Sequence, residues 1–180
     1  MGGVIKKDFK YKVVKNFLTN EEILLLKNYT ICRHRTNTTN FDFEQNKVGD
    51  TYFNGDPIMD SLMLTKQKIM ERETGIKLLP TYSFWRMYTF NSELEKHKDR
   101  SACEISVTIM IAGDGTQWPI FMENTPINLN PGDAAIYLGC EVSHWREEFK
   151  GDWQAQTFLH YVDANGSNTE HKFDKREFVV

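Results

Sequence analysis

The sequence predicts an α+β fold in which two helices pack against a sandwich or jelly roll of short strands. Three observations support this fold class. The first 75 residues contain two helical segments, the remainder falls into short alternating runs bounded by turn residues, and aromatic residues make up 13% of the chain, which favours strands. With 180 residues, the chain has the length of one domain. We expect a single domain over 1–180, with its core at about 77–162 and N-terminal support from 8–75.

The N-terminal part predicts a strand, a helix and a long loop. Residues 8–18 alternate loosely, as in a strand, and Thr19-Asn20-Glu21-Glu22 is a capping box that opens a helix over about 20–29. Residues 31–56 are rich in Thr, Asn, Asp and Gly, with Gly49 and Gly55 as candidate hinges. A segment of this kind indicates a lid or binding loop.

The second helix and the strands follow. Asp56-Pro57 places proline in the first turn of a helix that Gly75 can end. Beyond Lys77 the spacing of apolar residues changes from the helical period to the alternation typical of strands. Turn residues such as Asp114-Gly115 and Pro131-Gly132 separate these strands. The predicted strands are Tyr82–Phe90, Cys103–Ile111, Trp118–Met122, Thr125–Leu129, Ala134–Leu138, Ser143–Glu147 and Trp153–Val162.

Composition excludes several classes of protein. A net charge of −3 and a pI of about 6.0 argue against binding to nucleic acid through a basic face. The longest apolar runs are too short to span a membrane. Three cysteines without a C-x-x-C spacing, and an N-terminus without a secretory signal, indicate a cytoplasmic protein with reduced thiols.

One spacing indicates a metal site. His97-Lys98-Asp99 places an imidazole and a carboxylate two residues apart, so on an extended chain both point the same way. His144, at the start of a later predicted strand, can supply a third ligand. Two histidines and one carboxylate suit Fe(II), Mn or Zn and leave one side of the metal open. The alternative for His144 is an ordinary histidine at a strand end.

With these residues the chain resembles the Fe(II)/2-oxoglutarate-dependent dioxygenases, and within them the prolyl 4-hydroxylase-like branch, over roughly residues 10–162. Asn16-Phe17-Leu18-Thr19-Asn20-Glu21-Glu22 looks like the opening strand–helix signature of that branch. Tyr88 lies nine residues before His97, where the family places a tyrosine of the cosubstrate pocket. Gly132-Asp133 leads to His144 at the family's spacing.

The resemblance implies a double-stranded β-helix that holds Fe(II) through His97, Asp99 and His144. The cosubstrate 2-oxoglutarate would chelate the metal and O2 would be the oxidant, so that a C–H bond is hydroxylated with release of succinate and CO2. A peptidyl proline is the substrate that the resemblance suggests. A free amino acid or another small metabolite is the alternative.

The chain departs from the family pattern at the residue that holds the distal carboxylate of 2-oxoglutarate. The family usually has Arg or Lys nine or ten residues after the second histidine, where this chain has Trp153 and Gln154. A buried carboxylate needs another cation. We expect Arg146 to serve, with Arg86 as the alternative, although either could be an ordinary surface arginine.

Further expectations concern neighbouring side chains and rival functions. Ser106 and Thr108 share one face of a strand and could hydrogen-bond the cosubstrate, whereas the alternation around His160 puts that residue outside the barrel. The rival functions are a cupin-type metal enzyme that does not use 2-oxoglutarate, such as an epimerase or thiol dioxygenase, and a jelly-roll module without catalytic activity.

Overall fold

The core of the protein consists of two antiparallel β-sheets, one of seven strands and one of four. The structure is a computed structural model and describes residues 9–43 and 48–177. Two helices pack on the larger sheet. The predicted α+β class with a jelly-roll core is therefore confirmed.

The helices are α1 (Asn20–Arg35) and α2 (Pro57–Thr74). The strands are β1 (Tyr11–Val14), β2 (Phe41–Asp42), β3 (Asp50–Asn54), β4 (Leu78–Thr89), β5 (Leu94–His97), β6 (Ile105–Gly113), β7 (Ile120–Met122), β8 (Thr125–Ile127), β9 (Ala134–Leu138), β10 (His144–Arg146) and β11 (Trp153–Asp163). The larger sheet has the order β1-β9-β6-β11-β4-β3-β2, and the smaller sheet has the order β5-β10-β7-β8.

Local sequence signals account for the helix ends. Thr19 Oγ1 accepts from Glu22 N (3.2 Å) and Glu22 Oε2 accepts from Thr19 N (2.8 Å), which is the predicted capping box. Asp56 caps α2 by accepting from Ile58 N (3.1 Å), and Gly75 ends it with φ +80°, a conformation that favours glycine.

The prediction of a long loop over 31–56 is wrong in part, because regular structure occupies 31–35, Phe41–Asp42 and Asp50–Asn54. Helix α1 continues to Arg35, and β3 adds to the edge of the larger sheet beside β4. Tyr52 stacks on Phe84 with ring centroids 5.8 Å apart, and Phe53 stacks on Trp85 at 5.2 Å. The polar composition of the segment reflects an exposed sheet edge. Within the segment, 44–47 lie outside the described residues.

The two faces of the larger sheet have opposite chemistry. On β11, Ala155, Leu159 and Tyr161 belong to the apolar core beneath the helices, and Tyr161 Oη donates to Met63 O of α2 (2.7 Å). The opposite face turns polar side chains into the space between the sheets, and all of them are buried: Ser106, Thr108, Gln154, Gln156 and His160. The apolar core therefore lies between the larger sheet and the helices, and the interior of the barrel carries the polar side chains that a functional site needs.

Several boundaries differ from prediction. Strand β4 begins at Leu78, four residues earlier than expected, and β5 was not predicted because its sequence is largely charged. The tail contains a short helical turn that begins at Thr169, and its backbone is non-helical from Lys172 to Asp174. Beyond it, Arg176 Nη1 lies 2.8 Å from Asp60 Oδ2. Among the described residues, neither helix is long and apolar enough to cross a membrane.

Candidate active site

The structure brings the three predicted metal ligands together at one end of the smaller sheet. His97 ends β5, Asp99 follows it after one residue, and His144 opens β10. His144 lies directly opposite His97 in the antiparallel ladder. One ligand atom from each of the three residues lies within 4.8 Å of the other two.

Both histidines aim the same nitrogen at the carboxylate. His97 Nε2 lies 3.6 Å and His144 Nε2 3.5 Å from Asp99 Oδ1. His97 Nδ1 is hydrogen-bonded to Glu95 O (2.7 Å), and His144 Nδ1 to Val142 O (3.0 Å). A carbonyl oxygen only accepts, so Nδ1 carries the proton and, in the neutral ring, Nε2 presents its lone pair. Hydrogen bonds of this kind to backbone carbonyls fix the tautomer and the orientation of histidines that bind a metal.

The Asp99 carboxylate is held in place from its other side. Asp99 N donates to Gly139 O (2.9 Å), and Ser106 Oγ donates to Asp99 Oδ2 (3.0 Å). Burial alone would raise the pKa of Asp99, but when no metal is bound and the rings of His144 and His97 carry a proton on Nε2, their contacts hold the pKa of this carboxyl well below its usual range. The same contact with Asp99 raises the pKa of His97 against the opposing effect of burial.

The donor set fits a divalent cation. Two unprotonated nitrogens and an ionised oxygen, about 3.5 Å apart, repel one another unless a proton or a metal lies between them. Two imidazoles and one carboxylate are the donor set of the non-heme Fe(II) enzymes that keep open positions on the metal.

A cavity of about 150 Å³ opens beside this cluster. Its walls carry the three candidate ligands and, in addition, Tyr82, Phe84, Arg86, Tyr88, Leu94, Tyr137, Phe158 and His160. The structure thus places Tyr88 and Arg86 at the cavity, as expected, with Tyr88 almost fully buried. Burial raises the pKa of the Tyr88 hydroxyl, which stays neutral and able to donate.

Arg146 is a buried cation behind the cavity wall. It is 2% exposed, and no carboxylate in the described part of the chain forms an ion pair with it. Nη1 donates to Trp118 O (2.5 Å), the guanidinium lies 4.7 Å from the Trp118 ring centroid, and Nε has no hydrogen-bond partner among the described residues. Burial lowers the pKa of Arg146 to about 10, so it remains charged at neutral pH. A buried charge without a counter-ion is costly, which indicates that an anion belongs beside it.

Arg86 is in a different electrostatic position. Its Nη2 forms an ion pair with Asp42 of β2, and its guanidinium lies 5.2 Å from the Phe84 ring centroid and 5.5 Å from that of Tyr88. Because Asp42 already compensates its charge, Arg86 has less need of an anionic ligand. Charge balance thus favours Arg146 as the partner of a carboxylate, whereas position favours Arg86, which lines the cavity while Arg146 does not.

Thr108 lies deeper in the barrel, outside the cavity wall. Its hydroxyl is 3.3 Å from the side-chain amide of Gln156. With that amide turned to donate to Ile109 O (2.9 Å), its oxygen accepts from Gln154 (2.7 Å) and from Arg146 Nη2 (3.2 Å). Gln154 and Gln156, which sequence reasoning did not assign, thus form a polar network with Arg146.

The prediction that His160 lies outside the barrel is wrong. Its ring lines the cavity, and Nδ1 is 2.8 Å from Ser106 Oγ. The physical reason is that the apolar residues that alternate with His160 on β11 face the helices and not the interior of the barrel. Gln154 and Gln156, on the face of His160, were the available signal, because consecutive polar residues on one face of an otherwise apolar strand indicate a polar interior.

Comparison with known proteins identifies the fold. No protein-family model and no curated protein matches the sequence. Among solved structures, the viral collagen prolyl hydroxylase of Paramecium bursaria Chlorella virus-1, in complex with 2-oxoglutarate, is 12% identical with a TM-score of 0.64, over 86% of this chain and 96% of that one. A prolyl 4-hydroxylase of Pseudomonas putida is 14% identical with a TM-score of 0.66, over 88% and 95%.

The same fold occurs in structures named for other reactions. The non-heme α-ketoglutarate-dependent epimerase SnoN of nogalamycin biosynthesis is 12% identical with a TM-score of 0.72, over 87% of this chain and 77% of that one. Identities this low establish architecture and leave the substrate and the reaction open. The chain has the double-stranded β-helix fold of the Fe(II)/2-oxoglutarate oxygenases.

Proposed function

We propose that this protein is an Fe(II)- and 2-oxoglutarate-dependent oxygenase that hydroxylates a C–H bond. The observation that carries the proposal is the convergence of His97, Asp99 and His144, with both Nε2 atoms about 3.5 Å from one carboxylate oxygen. The fold, shared with solved 2-oxoglutarate-dependent enzymes, supports it. A cupin enzyme that does not use 2-oxoglutarate would leave the buried charge of Arg146 unexplained.

In this proposal His97, Asp99 and His144 hold the iron, and Arg146 binds the distal carboxylate of 2-oxoglutarate. Tyr88 lines the cavity beside these ligands and can donate its hydroxyl proton to the cosubstrate. Gln156 orients the Arg146 guanidinium by accepting from Nη2, and Thr108 contacts Gln156. When bound, iron, 2-oxoglutarate and O2 together supply the oxidation that places one oxygen atom in a C–H bond and releases succinate and CO2.

The remaining task of the protein is to hold geometry and exclude water. Ser106 fixes the Asp99 carboxylate, and Gly139 O fixes the Asp99 backbone by accepting from its N–H. The carbonyls of Glu95 and Val142 fix the two imidazoles. The rings of Tyr82, Phe84 and Phe158 form an apolar wall of the cavity. Such a wall keeps water from the open side of the metal and orients an apolar C–H group toward it.

The test uses variants of the ligand set. We expect His144→Ala to abolish iron-dependent release of succinate from 2-oxoglutarate while leaving the circular dichroism spectrum of the protein unchanged. The matched control is His34→Ala, because His34 lies on α1 and contacts Thr51 away from the cavity. Turnover by His144→Ala at the rate of the control would contradict the ligand assignment, and His160 would be the next candidate.

For the substrate, we propose a peptidyl proline. Two structures with this fold are named as prolyl hydroxylases, and the aromatic wall suits a five-membered ring. We expect proline-rich peptides to raise succinate production above the rate without peptide. If free amino acids stimulate and a panel of proline-containing peptides does not, the substrate is a small metabolite and the oxygenase proposal remains.

A further inference from the structure

His160 is a cavity residue to which the proposed chemistry assigns no task. It lies near the end of β11, is 5% exposed and lines the cavity beside Asp99. Its ring centroid is 4.6 Å from that of Tyr82. A polar side chain enclosed at this depth needs a partner for each of its ring nitrogens.

The hydrogen bonds around Ser106 determine which nitrogen of His160 carries the proton. Ser106 Oγ lies 3.0 Å from Asp99 Oδ2, 3.1 Å from Cys103 O and 2.8 Å from His160 Nδ1. The carboxylate and the carbonyl only accept, so the single hydroxyl proton goes to one of them. Toward His160, Ser106 must therefore accept, and Nδ1 must donate.

The other nitrogen is consequently an acceptor, and it belongs to a ring that lines the cavity. In a neutral imidazole with the proton on Nδ1, Nε2 has a lone pair. Burial lowers the pKa of His160 to about 4, which keeps the ring neutral at pH 7. No side chain in the described residues donates to Nε2, and the neighbouring Tyr82 hydroxyl is 3.0 Å from Cys103 Sγ. Leaving a buried acceptor without a donor is unfavourable.

We propose that His160 Nε2 accepts a hydrogen bond from the substrate, which therefore carries an N–H or O–H donor close to the carbon that is oxidised. This inference rests on the proposed function and narrows its substrate class. It favours ligands with an amide, lactam, amine or hydroxyl donor at that position. In a peptidyl substrate this donor is the backbone N–H of the residue after the proline, because the nitrogen of a peptidyl proline carries no hydrogen. A carboxylate or an ether, which offers no proton, is disfavoured there.

The first part of the test measures the tautomer of His160 and its change when a ligand with an N–H donor is added. Long-range ¹H–¹⁵N spectra are recorded on histidine-labelled protein loaded with Zn(II), a diamagnetic substitute, and 2-oxoglutarate. The His160 signals are identified by their loss in His160→Asn. We expect a protonated Nδ1 and a bare Nε2. Adding 2-pyrrolidinone should shift Nε2 toward the protonated value, and N-methyl-2-pyrrolidinone, which lacks the donor, should not.

The second part separates substrate recognition from support of the metal. Asn at position 160 can still donate to Ser106 from its amide nitrogen but has no group at Nε2, whereas Gln reaches the Nε2 position with an oxygen acceptor. We expect His160→Asn to keep the Zn(II) affinity of the wild type and to bind 2-pyrrolidinone roughly 3- to 10-fold more weakly, the size of one neutral hydrogen bond. His160→Gln should recover part of that loss.

Each other outcome contradicts the inference. A protonated Nε2, equal shifts with both lactams, or no shift with either would overturn it. A loss of Zn(II) affinity in His160→Asn would mean that His160 acts through Asp99 instead. Failure of the wild type to bind Zn(II) or 2-oxoglutarate, measured by calorimetry beforehand, would count against the proposed function, and the tautomer would still be read from the same protein.

Discussion

At the scale of single residues, the site contains two charged groups, Asp99 and Arg146, that no Lys, Arg, Asp or Glu among the described residues compensates. Asp99 faces two imidazole nitrogens that present lone pairs, and Arg146 is buried with no carboxylate in the described part of the chain to pair with it. Each arrangement is unfavourable alone and becomes favourable when a cation binds at the first and an anion at the second. The two sites lie on one strand, because His144 and Arg146 are two residues apart on β10.

The assignment of Arg146 predicts a defect in cosubstrate binding. Arg146→Ala should raise the KM for 2-oxoglutarate by roughly 10-fold or more, as expected for losing a charge-assisted bidentate pair of about 1.5–3 kcal/mol. Arg86→Ala should have the smaller effect, because Asp42 already compensates that charge. The control is Arg72→Ala, an exposed arginine paired with Glu73. A larger rise in KM for Arg86→Ala would reverse the assignment.

The contact between His97 and Asp99 predicts how metal affinity depends on pH. Asp99 raises the pKa of His97, so without metal this ring holds a proton at a higher pH than an ordinary histidine. Metal binding must displace that proton, and affinity should therefore fall as pH falls through the raised pKa, by up to about tenfold per pH unit for one proton. Titrations with Mn(II) between about pH 5 and 8 measure the effect. Affinity independent of pH would show that no such proton is displaced.

At the scale of elements, the connection from β9 to β10 positions the carboxylate ligand. Gly139 lies in this connection, accepts from Asp99 N through its carbonyl (2.9 Å) and donates to Glu104 O (3.0 Å). A Cβ at position 139 would come within 2.5 Å of Asp99 Oδ2 and also collide with the carbonyl of Cys103. Only glycine allows the backbone to approach the Asp99 side chain this closely.

Gly139→Ala should therefore impair the metal site as well as the fold. We expect metal affinity to fall by roughly 10- to 100-fold, the range for losing a group that holds a metal ligand in position. We expect the free energy of unfolding to fall by about 1–3 kcal/mol. Leu62→Ala is the matched control, because it removes a buried side chain from α2 on the other face of the larger sheet. Equal metal affinity in the two variants would show that Gly139 has no special role in holding Asp99.

The elements also show what could be predicted from the sequence. Helix α2 was bounded correctly, because Pro57 and Gly75 act through their own backbone preferences. The structure brings the side chains of His97 and Asp99 together as predicted, because the two residues are only two positions apart in the chain. The side of β11 on which His160 lies was predicted wrongly, since it depends on which face of the sheet the helices cover. The ion pair between Asp42 and Arg86 joins residues 44 positions apart and has no local signal.

At the scale of the whole molecule, the larger sheet separates stability from function. Its outer face provides the apolar contact with the helices, and its inner face is free to carry polar residues such as Gln156 and His160. The fold can therefore change its inner residues with little effect on its core. This separation is consistent with structures of the same fold named as hydroxylases and as an epimerase, and it explains why fold alone does not identify the substrate.

The central claim is that one cavity holds iron and 2-oxoglutarate together. The most direct measurement is an anaerobic titration of Fe(II)-loaded protein with 2-oxoglutarate, monitored by the weak visible charge-transfer band of the chelated metal. We predict that the band develops and saturates as the sites fill, and that His144→Ala gives none. Iron binding without a band would indicate a metal enzyme that does not use 2-oxoglutarate, and absence of iron binding would indicate a non-catalytic module. Either result would contradict the proposed function.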